Sequence, residues 1–219
     1  LRAAKLAADY GLLGIPGVEV STAHGHLLAV GVEEMPPRRE PYADTVDWIR
    51  DNGGVAIVPH PFQRTRHGVR KRNIPNVDAI EAFNAWLFTG YKNRRARRFA
   101  DAYGYPTVAA SDAHTIPYVG RAFTEVTIPE VSRAAVTVDD VLDAIRADST
   151  AVQGRRAPIP MAASHYALGA ARKSGYYAKA GTLRTASLAK LGTLKSGYLA
   201  KSGLRRSTAR LWNLMTDRR

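Results

Sequence analysis

Glu19, His26, His60, Asp112 and His114 are the residues of this 219-residue sequence whose types and positions could do chemistry. Imidazole nitrogen and carboxylate oxygen together suit divalent ions such as Zn²⁺, Mn²⁺ or Fe²⁺. Two or three such ions, held close by a bridging carboxylate, generate hydroxide near neutral pH and hold a phosphoryl oxygen, the usual route to phosphoester cleavage. Cysteine is absent, which removes disulfides, thiol nucleophiles and zinc–thiolate sites and leaves His, Asp and Glu as the metal ligands. Each of the five also reads, taken alone, as a capping or hydrogen-bonded group at a strand end. Four of the six histidines gather around strand ends, but spacing by itself leaves both roles open.

The elements that must position these residues alternate in type. Arg2 to Gly11 reads as a helix stopped by its glycine. Val18–Ser21 follows the turn-forming Pro16-Gly17 as a strand, and His26–Val32 forms a second, apolar one. Tyr42 to Asn52 reads as a helix facing a core through Val46, Trp48 and Ile49, followed by the short apolar run Val55–Val58. Ala79–Phe83 is predicted as a strand, Tyr91 to Tyr103 as a strongly basic helix, and Thr107–Ala110 as a strand. Val119 to Ile128 is expected to add a last strand, and Thr137 to Ala147 a helix with acidic residues near its N-terminus. This pattern predicts an α/β class with a mainly parallel sheet, open or closed into a barrel, whose function sits at the C-terminal ends of the strands.

Four segments in order carry a family resemblance: Gly17-Val18-Glu19-Val20-Ser21, His26-Leu27-Leu28-Ala29-Val30-Gly31, Val58-Pro59-His60-Pro61-Phe62 and Ala110-Ser111-Asp112-Ala113-His114. With Glu81-Ala82-Phe83-Asn84-Ala85 between the third and fourth, they resemble the PHP (polymerase and histidinol phosphatase) family of metal-dependent phosphoesterases over roughly residues 1–150. The resemblance implies a distorted (β/α)7 barrel with up to three metal ions (Zn, Mn or Fe) at the strand C-termini. It implies that Glu19 bridges two metals, that His26 and His60 complete the second site, and that Asp112 serves the first and His114 the third. Glu19, His60, Asp112 and His114 are thereby the implied catalytic residues. Family members open with a His-x-His strand, whereas no histidine precedes Glu19 here. The expected fold is therefore a PHP-type barrel lacking its first strand or strands, with residues 1–154 as an N-terminally incomplete domain.

Other residues carry weaker expectations. Asn84, Arg64 and Arg66 are candidates for binding substrate, the arginines through charge-assisted bonds from a cationic loop beside His60. His24 is a marginal candidate ligand, and His67 is expected to be solvated in that basic loop. Arg94, Arg95, Arg97 and Arg98 read as the exposed face of their helix. No phosphate-binding glycine loop or dinucleotide fingerprint is present.

The net charge of +13 is not spread along the chain. Residues 1–154 hold 18 basic and 18 acidic residues, while residues 155–219 hold 14 basic residues and only Asp217 on the acidic side. The tail repeats every eleven residues over 174–184, 185–195 and 196–206, aligning Tyr177-Ala178-Lys179 with Leu188-Ala189-Lys190 and Leu199-Ala200-Lys201. Eleven residues make three helical turns, but its glycines and serines oppose a stable helix in water. A flexible polar tail and an amphipathic segment that orders on a polyanion, nucleic acid or anionic membrane, both fit. No apolar run is long enough to span a bilayer and no secretory signal is visible, so a cytoplasmic location is expected. The expected activity is hydrolysis of a small phosphorylated metabolite, a nucleotide or a nucleic-acid end. The competing class is a non-catalytic, truncated module whose basic tail does the binding.

Overall fold

A computed structural model of the chain describes residues 2–63, 67–74, 76–87, 89–160 and 174. Backbone contacts divide the chain into two units, residues 1–162 and 163–219. Arg64 and Arg66 lie outside the described residues, as does the basic repeat apart from Ser174.

Helix α1 (Arg2–Ala7) continues into a 3-10 turn, Ala8–Tyr10, and stops where Gly11 takes a left-handed conformation at φ 68°. Strands β1 (Gly17–Thr22) and β2 (Gly25–Val30) follow, then α2 (Tyr42–Asp51), β3 (Val55–Val58), β4 (Ala79–Asn84), α3 (Tyr91–Tyr103) and β5 (Thr107–Ala110). Strand β6 (Ala122–Val126), helix α4 (Val138–Arg146) and strand β7 (Thr150–Gly154) complete the unit. Thr137 starts α4 with a capping box: its hydroxyl accepts from Asp140 N, and the Asp140 carboxylate accepts from Thr137 N.

Five strands form one sheet in the order β1-β2-β3-β4-β5. The sheet is mixed rather than mainly parallel: β1/β2 and β2/β3 pair antiparallel, β3/β4 and β4/β5 parallel. The reason at β1/β2 is length, because two residues, Ala23 and His24, join the strands and cannot carry a crossover. Nor does a closed barrel form among the described residues. Strands β6 and β7 make a separate antiparallel pair that meets β5 through a side chain, with Ala109 N donating to Thr124 Oγ1 and that hydroxyl donating to Ala109 O. The expected strand over 119–128 shortens to β6 because a 3-10 turn, Ile116–Tyr118, precedes it.

The sheet is the middle layer. Ala56 and Val58 of β3 face a core shared with Val46 and Ile49 of α2 and Phe99 and Ala100 of α3. Val55 and Ile57 face the opposite core, closed by Leu142 and Ile145 of α4. A strand with both faces covered must be apolar throughout, which is why β3 reads as an unbroken apolar run. At the start of β3 and β4, Asp78 accepts from Arg50 Nε and Nη2 at 3.0 and 2.8 Å and from Ala56 N at 2.7 Å. This clamp fixes α2 to the sheet at the end opposite the candidate ligands.

Candidate metal centre

The antiparallel hairpin brings Glu19 and His26 to the C-terminal end of β3. Registers Glu19↔Leu28 and Ser21↔His26 make Glu19 and His26 diagonal neighbours on one face. That face continues through Leu28↔Ile57 and Val30↔Val55, so it is apolar where α4 covers it and polar beyond. Gly25 allows the tight connection: at φ +137° its α-carbon lies so close to the backbone of 67–69 that a Cβ would meet Gly68 C and Val69 N at 3.1 Å. The loop is held there by His26 N donating to His67 O at 2.8 Å.

Three side chains from separate segments converge. Glu19 Oε1 lies 2.5 Å from His26 Nδ1 and 3.0 Å from His60 Nε2, and all three ligand atoms lie within 4.8 Å of one another. Side-chain exposure falls from 43% at Glu19 to 17% at His26 and 9% at His60, so the pocket is open on the Glu19 side. Hydrogen bonds from His26 and then His60 hold the Glu19 carboxyl well below the usual carboxylate range. Burial alone would lower the His60 imidazole, but its bond to Glu19 and the charges of Glu81, Glu19 and Asp112 leave it raised. Two imidazole nitrogens and one carboxylate oxygen form a donor set that fits Zn²⁺, Mn²⁺ or Fe²⁺.

Behind His60 lies a buried polar network. Glu81 and Asn84 are three residues apart in β4, a spacing that strand alternation would send to opposite faces. A bulge between Glu81 and Phe83 shifts the register, and Asn84 Nδ2 donates to Glu81 Oε2 at 3.1 Å and to Asp112 Oδ2 at 3.2 Å. Glu81 Oε2 also accepts from His60 N. Full burial pushes the Glu81 carboxyl up to about 7. Asn93 of α3 braces Asn84 through both backbone groups, at 3.2 and 3.0 Å. His60 and Asp112 each sit two residues past a strand end with left-handed backbones, φ 31° and 50°, a strained geometry for non-glycine residues that recurs at functional sites.

Not every anticipated residue joins the cluster. Among the described residues Glu19, His26 and His60 are the group gathered within ligating distance of one another. His114 instead turns back on Asp112, its Nδ1 2.8 Å from the Asp112 carbonyl and 3.7 Å from Oδ1. His24 stands in the β1–β2 turn, where its Nδ1 accepts from Tyr42 N at 3.3 Å, outside the cluster. His67 is not simply solvated: it is half-buried and its ring stacks on His26 with centroids 4.3 Å apart, because the β1–β2 turn draws the loop over that residue. Two features escaped the sequence reading as site components. Glu81 carried a signal, an acid inside a strand buried at both neighbours. Arg38 and Arg39 line a cleft of about 600 Å³ with Ser21, Thr22, Ala23, His26 and His67, and no local pattern marked them.

Known proteins resemble the chain in part. Residues 90–150 match the model of the PHP-associated family. Two solved structures share the fold. One is a two-domain protein from Bacteroides vulgatus containing a predicted PHP-like metal-dependent phosphoesterase, with TM-score 0.53 and 18% identity over 69% of this chain and 47% of that one. The other is PsfC from Pseudomonas syringae, with TM-score 0.52 and 18% identity over 73% and 65% of the respective chains. By the match over residues 90–150 and by fold, the chain is similar to PHP-like proteins. Two uncharacterised proteins of Methanocaldococcus jannaschii, MJ0417 and MJ1587, are each 29% identical, over 50% and 42% of this chain. The chain spans about half the length of these curated relatives, 49% and 54%. No helix among the described residues is long and apolar enough to cross a membrane.

Proposed function

We propose that this domain is a metal-dependent phosphoesterase acting on a phosphorylated metabolite, a nucleotide or a nucleic-acid end. One observation carries the reading: Glu19, His26 and His60, drawn from β1, β2 and the β3 loop, point their ligand atoms at one place. Glu19, His26 and His60 would hold a divalent ion, and Asp112 with His114 are the candidate ligands for further ions. A bound divalent ion supplies an acidified water and offsets charge on the phosphoryl oxygens. The protein's own part is positional. Glu81 fixes the backbone of His60, Asn84 ties Glu81 to Asp112, and both imidazoles of the cluster keep Glu19 ionised.

The substrate's anionic group has a place to sit. The cleft beside His26 is lined by Arg38, Arg39 and Ser21, side chains that can donate to phosphate oxygens, while the Thr22 hydroxyl donates to Gly25 O. Residues 155–219 add a second cationic element, read as a polyanion-binding tail. The test of the activity is hydrolysis of a chromogenic phosphomonoester and phosphodiester by the metal-loaded full chain. Turnover that chelator abolishes and that His60→Ala and Asp112→Ala both lose supports the reading. Turnover that survives chelation equally in all three proteins overturns it.

A further inference from the structure

We propose that the exposed face of α3, with the adjoining segment Arg70–Arg72, binds a single-stranded polynucleotide. Residues 61–103 hold ten basic residues and three acids, Asp78, Glu81 and Asp101, of which only Asp101 lies exposed on α3. Asp78 is engaged by Arg50 and Ala56 N, and Glu81 is enclosed beneath His60, so neither neutralises the surface. Asn93, Ala96, Phe99 and Ala100 form the inner stripe of α3, which leaves Tyr91, Arg94, Arg95, Arg97 and Arg98 on its outer side. Among the described residues, Arg70, Arg72, Arg94, Arg97 and Arg98 have no ion-pair partner. Arg94 and Arg98 stand one turn apart, a like-charge pair that costs helix stability and that a bound polyanion would relieve.

Rings lie among these charges. Lys71, which opens a 3-10 turn over Lys71–Asn73, places its Nζ 4.7 Å from the Tyr103 ring centroid and so joins that turn to α3, while the Arg95 guanidinium stands 4.4 Å from the ring centroid of Phe62. Tyr91 and Tyr103, at the two ends of the helix, are 61% and 55% exposed. Unpaired bases stack on such rings while the backbone follows the cations. A lipid surface would call for exposed aliphatic anchors on the same face, and the described residues of α3 offer none. The helix is tied to the Glu19–His26–His60 cluster from its inner side, where Asn93 bonds Asn84, and Arg95 of its outer side covers Phe62, two residues past His60. That the strand's end reaches the cluster rests on the phosphoesterase reading, whereas the binding itself does not.

The absence of native cysteine permits a direct test in the full chain. Asp101→Cys, exposed on α3, carries a photoreactive cross-linker and is mixed, in chelator, with an oligothymidylate of about twelve nucleotides. The proposal expects cross-linking that declines with salt, and a roughly fivefold or greater loss of yield and affinity when Arg94→Glu and Arg98→Glu are added. Arg133→Glu, an exposed loop residue elsewhere in the unit, should change neither. Equal yields with and without the double substitution, or no cross-link at low salt, overturn the proposal. So does equal or better competition by duplex DNA or by phosphatidylserine vesicles. Because the assay contains no metal, its failure leaves the phosphoesterase reading standing, and failure of the metal measurement leaves this one standing.

Discussion

The Asn84 amide reaches Glu81 Oε2 at 3.1 Å from three residues further along the same strand, and it does so because β4 is bulged between them. The bulge turns an alternating strand into a support for the Glu19–His26–His60 cluster, since the same Glu81 oxygen accepts from the backbone of His60.

Glu81 makes the metal-free protein pH-sensitive. Burial raises its carboxyl from 4.5 to about 7, so the folded state holds this proton more tightly than the unfolded chain does. The associated stability is fully present below about pH 4.5 and is lost as pH rises through about 7. Thermal melts in chelator should show the wild type losing more stability than Glu81→Gln between those limits. Parallel curves for the two proteins would refute the assignment.

Asp78 is expected to matter for stability and not for metal. Asp78→Ala strands the Arg50 side chain and leaves the buried Ala56 N–H without its acceptor, a loss of about 2 kcal/mol. Denaturant titration should register the lower midpoint, while metal affinity of the folded variant stays within about twofold of wild type, because the clamp lies at the opposite end of β3.

Arg38 lines the cleft next to His26. Arg38→Ala should raise KM for a phosphoester substrate by about tenfold with a smaller change in kcat, since it removes binding shared by ground and transition states. A fall in kcat at constant KM would place Arg38 in the chemistry instead.

His60 and Asp112 were legible as candidates because each follows a short apolar strand at a clear turn signal, whereas Glu19 lies inside β1. Val55–Val58, Tyr91–Tyr103 and Thr107–Ala110 occupy the segments their patterns predict. Strand direction was less legible. His26 lies at the start of β2, not its end, and reaches His60 only because β2 runs antiparallel to β3, a pairing that local pattern does not encode. Strand β7 was hidden for a similar reason. Thr150–Gly154 is half exposed and carries little apolar alternation, so its partner β6 decides its state. The chain also continues in the domain beyond Gly154, where Ala157 is buried and its N–H donates to Ala85 O at 2.8 Å. The stacking of His67 on His26 required a contact across the β1–β2 turn that no spacing rule supplies.

The central claim is that Glu19, His26 and His60 hold a divalent ion, and metal content after equilibrium dialysis against Zn²⁺ or Mn²⁺ tests it most directly. His24 is the proper control, being a nearby histidine whose ring bonds Tyr42 N instead of the cluster, whereas His67 packs against His26. Wild type and His24→Ala should each retain at least one ion per chain, and Glu19→Gln and His60→Ala should bind at least about tenfold more weakly. Equal metal content in all four proteins would contradict the account.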